Sequence, residues 1–177
     1  DNEYYHLVLL CENEEGYKNL IKMVSLGFTE GFYSKPRIDK ELLEKYHSGL
    51  IALSACLAGE ISRNLCRGNY EAAKAAAEYY DGIFGRGNFY LELQNHGIRE
   101  QEQINPYIIK ISEQTGIPLV ASNDVHYIEP DDLKMQKVLM CIQMGKKLNE
   151  ENSIEFKTNE FYLKTAQEMY ELFGHVP

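Results

Sequence analysis

The sequence has no apolar run near the roughly 18 residues of a helical membrane span, so no membrane partnership is expected. It opens on Asp1-Asn2-Glu3, without the charged-then-apolar pattern of a secretory leader. It also opens without Met, and the chain is expected to be cut from something longer. Paired cysteine spacing is absent. Cys11, Cys56, Cys66 and Cys141 lie far apart, which reads as reduced thiols in a cytoplasmic protein. Basic residues are scarce: 18 Lys and Arg stand against 27 Asp and Glu, a net charge of −9. That deficit argues against a free-standing binder of phosphate backbones. A Gly-rich phosphate loop, H-E-x-x-H, C-x-x-C and G-x-S-x-G are all missing.

What is present suits one domain. The 177 residues are 44% hydrophobic and 25% charged, enough for a core without disulfides or metals. Short apolar strands alternate with helices. His6–Cys11 reads as a buried strand and Glu14–Phe28 as an amphipathic helix. Pro36 keeps 31–39 a loop, and Asp39 caps a helix to Tyr46. Leu50–Ala55 is a second strand. A helical turn over Gly59–Cys66 and an Ala-rich helix over Tyr70–Phe84 follow. Phe89–Leu93 is a third strand, Arg99–Gln114 a helix kinked or restarted at Pro106, and Pro118–Ser122 a fourth strand. Asp131–Met144 is helical, and Phe161-Tyr162-Leu163 precedes a last helix over Ala166–Phe173. Strand–helix alternation implies an α/β fold with a parallel sheet, and the apolar strands suit burial on both faces. Four strands are too few for a complete barrel.

In parallel α/β folds, functional groups gather beyond the C-terminal ends of strands. Cys56 follows the second strand. Gln94, Asn95 and His96 follow the third. Asn123, Asp124 and His126 follow the fourth. A thiolate, two imidazoles and a carboxylate suit zinc or a mixed set of transition metals. Asp124 and His126, two apart in extended chain, can face one ion.

Each has a plainer reading as well. Cys56 alone suits a small buried residue, His96 a turn, and Asn123-Asp124 an ordinary turn. Cys11, Cys66 and Cys141 read as core. His6, His47 and His175 read as surface or packing residues. Lys35-Pro36-Arg37 is the one compact basic element outside helices, and it reads as a loop-anchoring salt bridge ahead of a phosphate contact. Acidic clusters at Glu12–Glu15, Glu129–Asp132 and Glu150–Glu151 read as solvated faces or helix starts.

Several stretches together resemble one family. They are Tyr5-His6-Leu7-Val8-Leu9-Leu10, Gly16-Tyr17-Lys18-Asn19-Leu20, Lys35-Pro36-Arg37-Ile38-Asp39, Gly49–Ile61, Phe89–Gly97 and Val120–Tyr127. Leu139–Gln143 and Phe161–Lys164 extend the match to the whole chain. The sequence is similar to the polymerase-and-histidinol-phosphatase (PHP) domain of bacterial DNA polymerase III alpha subunits, of the type without an inserted exonuclease.

The resemblance implies an irregular (β/α) barrel with a metal cluster in its mouth. Cys56, His96, Asp124 and His126 match family ligands. The family's His-x-His, Asp, further His and Glu motifs should lie upstream, so 1–145 is expected to be the C-terminal two thirds of the domain. Residues 146–177 are expected to lead into the polymerase body, whose aspartates lie beyond. The N-terminal strands are thus expected to be missing, leaving open edges and a route to self-association. The implied cofactors are zinc or manganese at the PHP site and magnesium for the polymerase. The implied partners are primer-template DNA, deoxynucleotides, a sliding clamp and a proofreading subunit. Two alternatives stand beside this: a PHP phosphoesterase acting on a small phosphomonoester, and a non-catalytic scaffold for polymerase and proofreading partners.

Overall fold

A computed structural model describes residues 4–148 and 158–176. Asp1–Glu3 and the Glu150–Glu151 cluster lie outside the described residues. The strands are β1 (Val8–Cys11), β2 (Leu50–Leu53), β3 (Phe89–Leu93) and β4 (Leu119–Ala121). The helices are α1 (Glu14–Thr29), α2 (Lys40–Tyr46), α3 (Glu60–Cys66), α4 (Tyr70–Phe84), α5 (Arg99–Thr115), α6 (Leu133–Met144) and α7 (Ala166–Phe173). The sheet order is β1-β2-β3-β4. β2 and β3 are parallel, pairing Ala52 with Phe89 and Leu53 with Tyr90. The architecture is the expected mixed α/β one, with a sheet that is only partly parallel.

β1 departs from expectation. It runs antiparallel to β2, pairing Val8 with Leu53 and Cys11 with Leu50. It stands at the end of the strand order, and Val8 and Leu10 are 36% and 48% exposed. An edge strand has one neighbour and keeps an open side, so an apolar run here does not mean burial. The same placement exposes Cys11, and Cys66 is exposed in the last turn of α3; of the three thiols expected in the core only Cys141 is buried. Pro106 neither ends nor restarts α5, which is continuous around it.

Two compact units divide the chain. The first runs through Glu92 and adds Pro106–Val120. Its core holds Met23, Leu50, Ala52, Ile61, Phe89, Leu91, Ile108, Ile111 and Ile117, all at 2% exposure or less. Each such large side chain contributes about 1.5–3 kcal/mol on burial. Tyr80 packs against Phe89, ring centroids 5.6 Å apart with the planes tilted by 34°, and donates its hydroxyl to Glu60 Oε2 at 2.6 Å. Lys40 meets Glu60 Oε1 at 2.9 Å, so one carboxylate joins α2, α3 and α4. Burial and that carboxylate push the Tyr80 hydroxyl upward, keeping it neutral and donating.

The second unit takes Leu93–Asn105 and Ala121 onward. Leu93, Ile104, Tyr127 and Cys141 are buried in it. So are the polar residues Gln94, His96, Gln101 and Asn123. This polar core is the feature that positions the candidate site.

α1 starts where Asn13 Oδ1 accepts the Gly16 N–H at 3.0 Å. Beside it, Gly49 takes a positive φ of 73°. A Cβ on Gly16 would lie 1.8 Å from the Gly49 carbonyl oxygen, so only glycine admits this approach. Gly16→Ala should lower unfolding stability by about 1–3 kcal/mol through forced backbone movement. Gly82 lies within α4 with open space around it, and Gly82→Ala should raise stability by about 0.4–1 kcal/mol. Urea titration of both variants, read by circular dichroism, checks the pair of opposite signs.

Candidate metal centre

In the first unit the chain turns sharply after β2. Ala55 has a φ of 63°, and its N–H donates to the buried Glu92 Oε2 at 2.9 Å. The Glu92 N–H in turn donates to Ser54 Oγ at 2.8 Å. The Gly59 N–H then closes the turn on the Cys56 carbonyl at 2.9 Å. His6 lies alongside, bridged to Gly59, with its N–H on the Ala58 carbonyl at 3.1 Å. This brings His6 Nδ1 to 3.7 Å from Cys56 Sγ. Cys56 is half-buried, whereas a small core residue would be fully so. His6, expected to have only a surface or packing role, is therefore a partner of Cys56. Fifty residues of sequence separate the two, and no local pattern signals the pair.

In the second unit His96 is fully buried. Its Nε2 lies 2.7 Å from the Asn123 carbonyl oxygen. An oxygen of that kind only accepts, so Nε2 carries the proton. Nδ1 then accepts, and Gln101 Nε2 donates to it at 2.8 Å. Gln101 Oε1 accepts the His96 backbone N–H at 2.8 Å. The ring stacks on Phe161 with centroids 4.1 Å apart and planes 14° apart. As it stands, His96 has both nitrogens engaged by protein groups.

Asn123 fastens the segment that supplies Phe161. Its Nδ2 donates to the carbonyls of Tyr162 at 2.6 Å and Glu160 at 3.2 Å. The His126 N–H donates to the Phe161 carbonyl at 2.8 Å, and the Leu163 N–H to the Tyr127 carbonyl at 3.0 Å. Asp124 sits in the left-handed region at φ 43°, a conformation aspartate tolerates better than most residues. His126 Nδ1 lies 2.6 Å from the Asp124 carbonyl, so Nδ1 donates and the lone pair sits on Nε2, the tautomer of a metal-binding imidazole. The Asp124 carboxylate is 4.0 Å from that same Nδ1.

Of the sequence-predicted residues, Cys56 lies in the first unit beside His6, and His96, Asp124 and His126 lie in the second, with the Asp124 carboxylate nearest His126 at the protonated Nδ1. Among the described residues, no three His, Cys, Asp or Glu side chains are grouped as a metal cage. The donor types fit a divalent ion, for which thiolate, imidazole and carboxylate are usual ligands; His126 would bind through Nε2, whereas the Asp124 carboxylate contact is at Nδ1. His96 fits only if its ring exchanges the Asn123 carbonyl and the Gln101 amide for metal. Phe161 and Gln101, the organisers of the second unit, went unread as site residues. The short apolar triplet at 161–163 was the one available sign of Phe161.

Residues 1–96 match the PHP domain family model. Over 173 residues the chain is 47% identical to DNA polymerase III subunit alpha of Borreliella burgdorferi, covering 98% of this chain and 15% of that protein. The subunit of Treponema pallidum is 44% identical over 174 residues, with the same coverage. That of Deinococcus radiodurans is 42% identical over 165 residues, covering 93% of this chain and 12% of the relative. The chain therefore spans about 15% of the length of the first two of these relatives.

Two outcomes test the geometry. Asn123→Ala removes two donors to backbone carbonyls and should cost about 1–3 kcal/mol, with faster hydrogen exchange at the His126 and Leu163 amides. The second concerns Glu168. The Tyr162 hydroxyl, then the Thr165 N–H and hydroxyl, hold its carboxyl down to about 2. Because the folded value lies below the ordinary one of 4.5, the stabilisation is present above that pH and is lost as pH falls toward 2. Protection factors of the α7 amides, taken against the intrinsic exchange rate at each pH, should fall across that window, and Glu168→Gln should flatten the dependence.

Proposed function

The chain belongs to the PHP domain family, and from that premise we propose that it is a segment of the catalytic alpha subunit of a bacterial replicative DNA polymerase. The observation that carries this reading is the 47% identity over 98% of the chain to such a subunit. The parent would perform DNA-directed DNA synthesis with magnesium, acting on primer-template DNA and deoxynucleotides in the cytoplasm. It would work beside a sliding clamp and a proofreading subunit. No residue of this segment is assigned to nucleotidyl transfer. No helix among the described residues is long and apolar enough to cross a membrane.

Within the parent, this segment serves as a metal-holding module. Its proposed ligands are Cys56 in the first unit, where His6 joins it on the strength of their contact, and His96, Asp124 and His126 in the second. A thiolate in the set favours zinc over harder ions, with manganese as the alternative. A divalent ion bound there would supply Lewis acidity and an activated water, the chemistry of 3′-5′ phosphodiester hydrolysis.

The chain's own residues prepare that chemistry. The Asp124 carbonyl fixes the His126 tautomer with the lone pair on Nε2. His6 offers the Cys56 thiol a proton acceptor at 3.7 Å, and a thiol must lose its proton to ligate metal. Phe161 contacts the rings of both His96 and His126, at 4.1 and 5.1 Å, and limits their rotation.

The test is elemental analysis of the full-length parent after dialysis. The wild-type protein should retain zinc or manganese stoichiometrically. The variant with Cys56→Ser, His96→Ala, Asp124→Asn and His126→Ala should lose most of it while keeping primer extension. Unchanged metal content in the variant, or none in the wild type, overturns the metal assignment.

A further inference from the structure

The Lys35-Pro36-Arg37 element has a structure that its expected salt-bridging role does not explain. Among the described residues neither Lys35 nor Arg37 forms an ion pair with a carboxylate. The Asp39 carboxylate, two residues away, instead accepts the Leu42 N–H at 2.9 Å as the cap of α2. The two cations lie against aromatic faces. The Arg37 guanidinium is 5.0 Å from the Tyr4 ring and 5.5 Å from the Tyr33 ring. Lys35 Nζ is 5.6 Å from the Tyr4 ring. Arg37 Nε is buried without a hydrogen-bond partner.

The backbone holds this cluster in place. The Arg37 N–H donates to the Gly31 carbonyl at 3.2 Å, pinching the loop shut at its base. A Cβ on Gly31 would meet the Arg37 carbonyl oxygen at 2.1 Å, so the pinch requires glycine there. Ser34 takes a φ of 60° at the tip, where Tyr33 and Lys35 bridge each other across it. Phe32 and Tyr33 stay 58% and 61% exposed, and Tyr4 41%. A six-residue loop that shows aromatic faces to water, with two cations laid against them, costs apolar exposure with no return in packing.

We propose that the loop from Phe32 to Arg37, together with Tyr4, is a contact site for single-stranded nucleic acid. Exposed aromatic rings give bases a stacking surface, and Arg and Lys among them meet the phosphates. A duplex keeps its base faces stacked inward, so a single strand fits better. With a chain charge of −9, the contact is an auxiliary one, weak and sensitive to salt. It uses none of the proposed metal ligands, so its test succeeds or fails independently of metal content.

The experiment is fluorescence anisotropy of a short labelled oligothymidylate titrated with the chain at low salt. Binding should weaken with salt on a log–log slope of about −1 to −2, as two cations displacing counterions from a single strand require. Tyr33→Ala and Lys35→Ala change exposed side chains and should each weaken binding about five- to tenfold, with circular dichroism unchanged. Arg37→Ala should weaken it further; if that variant loses its loop, the two exposed ones decide. No binding, a flat salt response, or unaltered affinity in the Tyr33 and Lys35 variants overturns the proposal. Equal affinity for a matched duplex, or for a polyglutamate peptide, overturns it in favour of plain charge attraction.

Discussion

The hydrogen bond from His96 Nε2 to the Asn123 carbonyl oxygen, 2.7 Å long, is the constraint on which the second unit depends. It ties the loop after β3 to the loop after β4. A fully buried imidazole is tolerable only with both nitrogens satisfied, and Gln101 completes that requirement at Nδ1. From Asn123 the network extends outward. Its side chain fixes the carbonyls of Glu160 and Tyr162, which sets Phe161 against both histidine rings. The placement of Asp124 and His126 follows from these contacts, because their loop has little regular structure of its own.

Local signals in the sequence translated well. Asp39 caps α2, α4 spans Tyr70–Phe84, and β3 spans Phe89–Leu93, each where its pattern placed it. These elements are decided by neighbours three or four residues away, or by strand alternation, and such information is written locally. Features that depend on distant chain were less legible. The direction of β1 and its exposure are set by its place at the sheet edge, which an apolar run does not encode. The same is true of Cys11, whose apolar setting suggested a core it does not join. His6 and Cys56 meet across 50 residues, and Phe161 reaches His96 across 65. The strand-end positions of the candidate residues follow from local pattern, whereas the groups that contact them, His6 and Phe161, do not.

The acidity of the chain takes on a narrower meaning beside the fold. Much of it is spent locally, at helix starts such as Glu14 and Glu15 and in the Glu60 carboxylate shared by Tyr80 and Lys40. Two of its cations, Lys35 and Arg37, lie on one pinched loop against aromatic rings. Net charge therefore argues against a broad phosphate-gripping surface and says little about a small stacking contact. The proposed metal ligands and the proposed aromatic contact loop use different residues, one set for a cation and the other for an anion.

The central claim is that residues beyond the strand ends hold a metal through Cys56 and histidine donors. Zinc-edge X-ray absorption of the zinc-loaded full-length parent tests it most directly. A first shell with sulfur at about 2.3 Å beside nitrogen or oxygen at about 2.0–2.1 Å is the predicted result, and the sulfur should vanish in Cys56→Ser. A shell of nitrogen and oxygen alone in the wild-type protein, or a sulfur signal that survives Cys56→Ser, would contradict it.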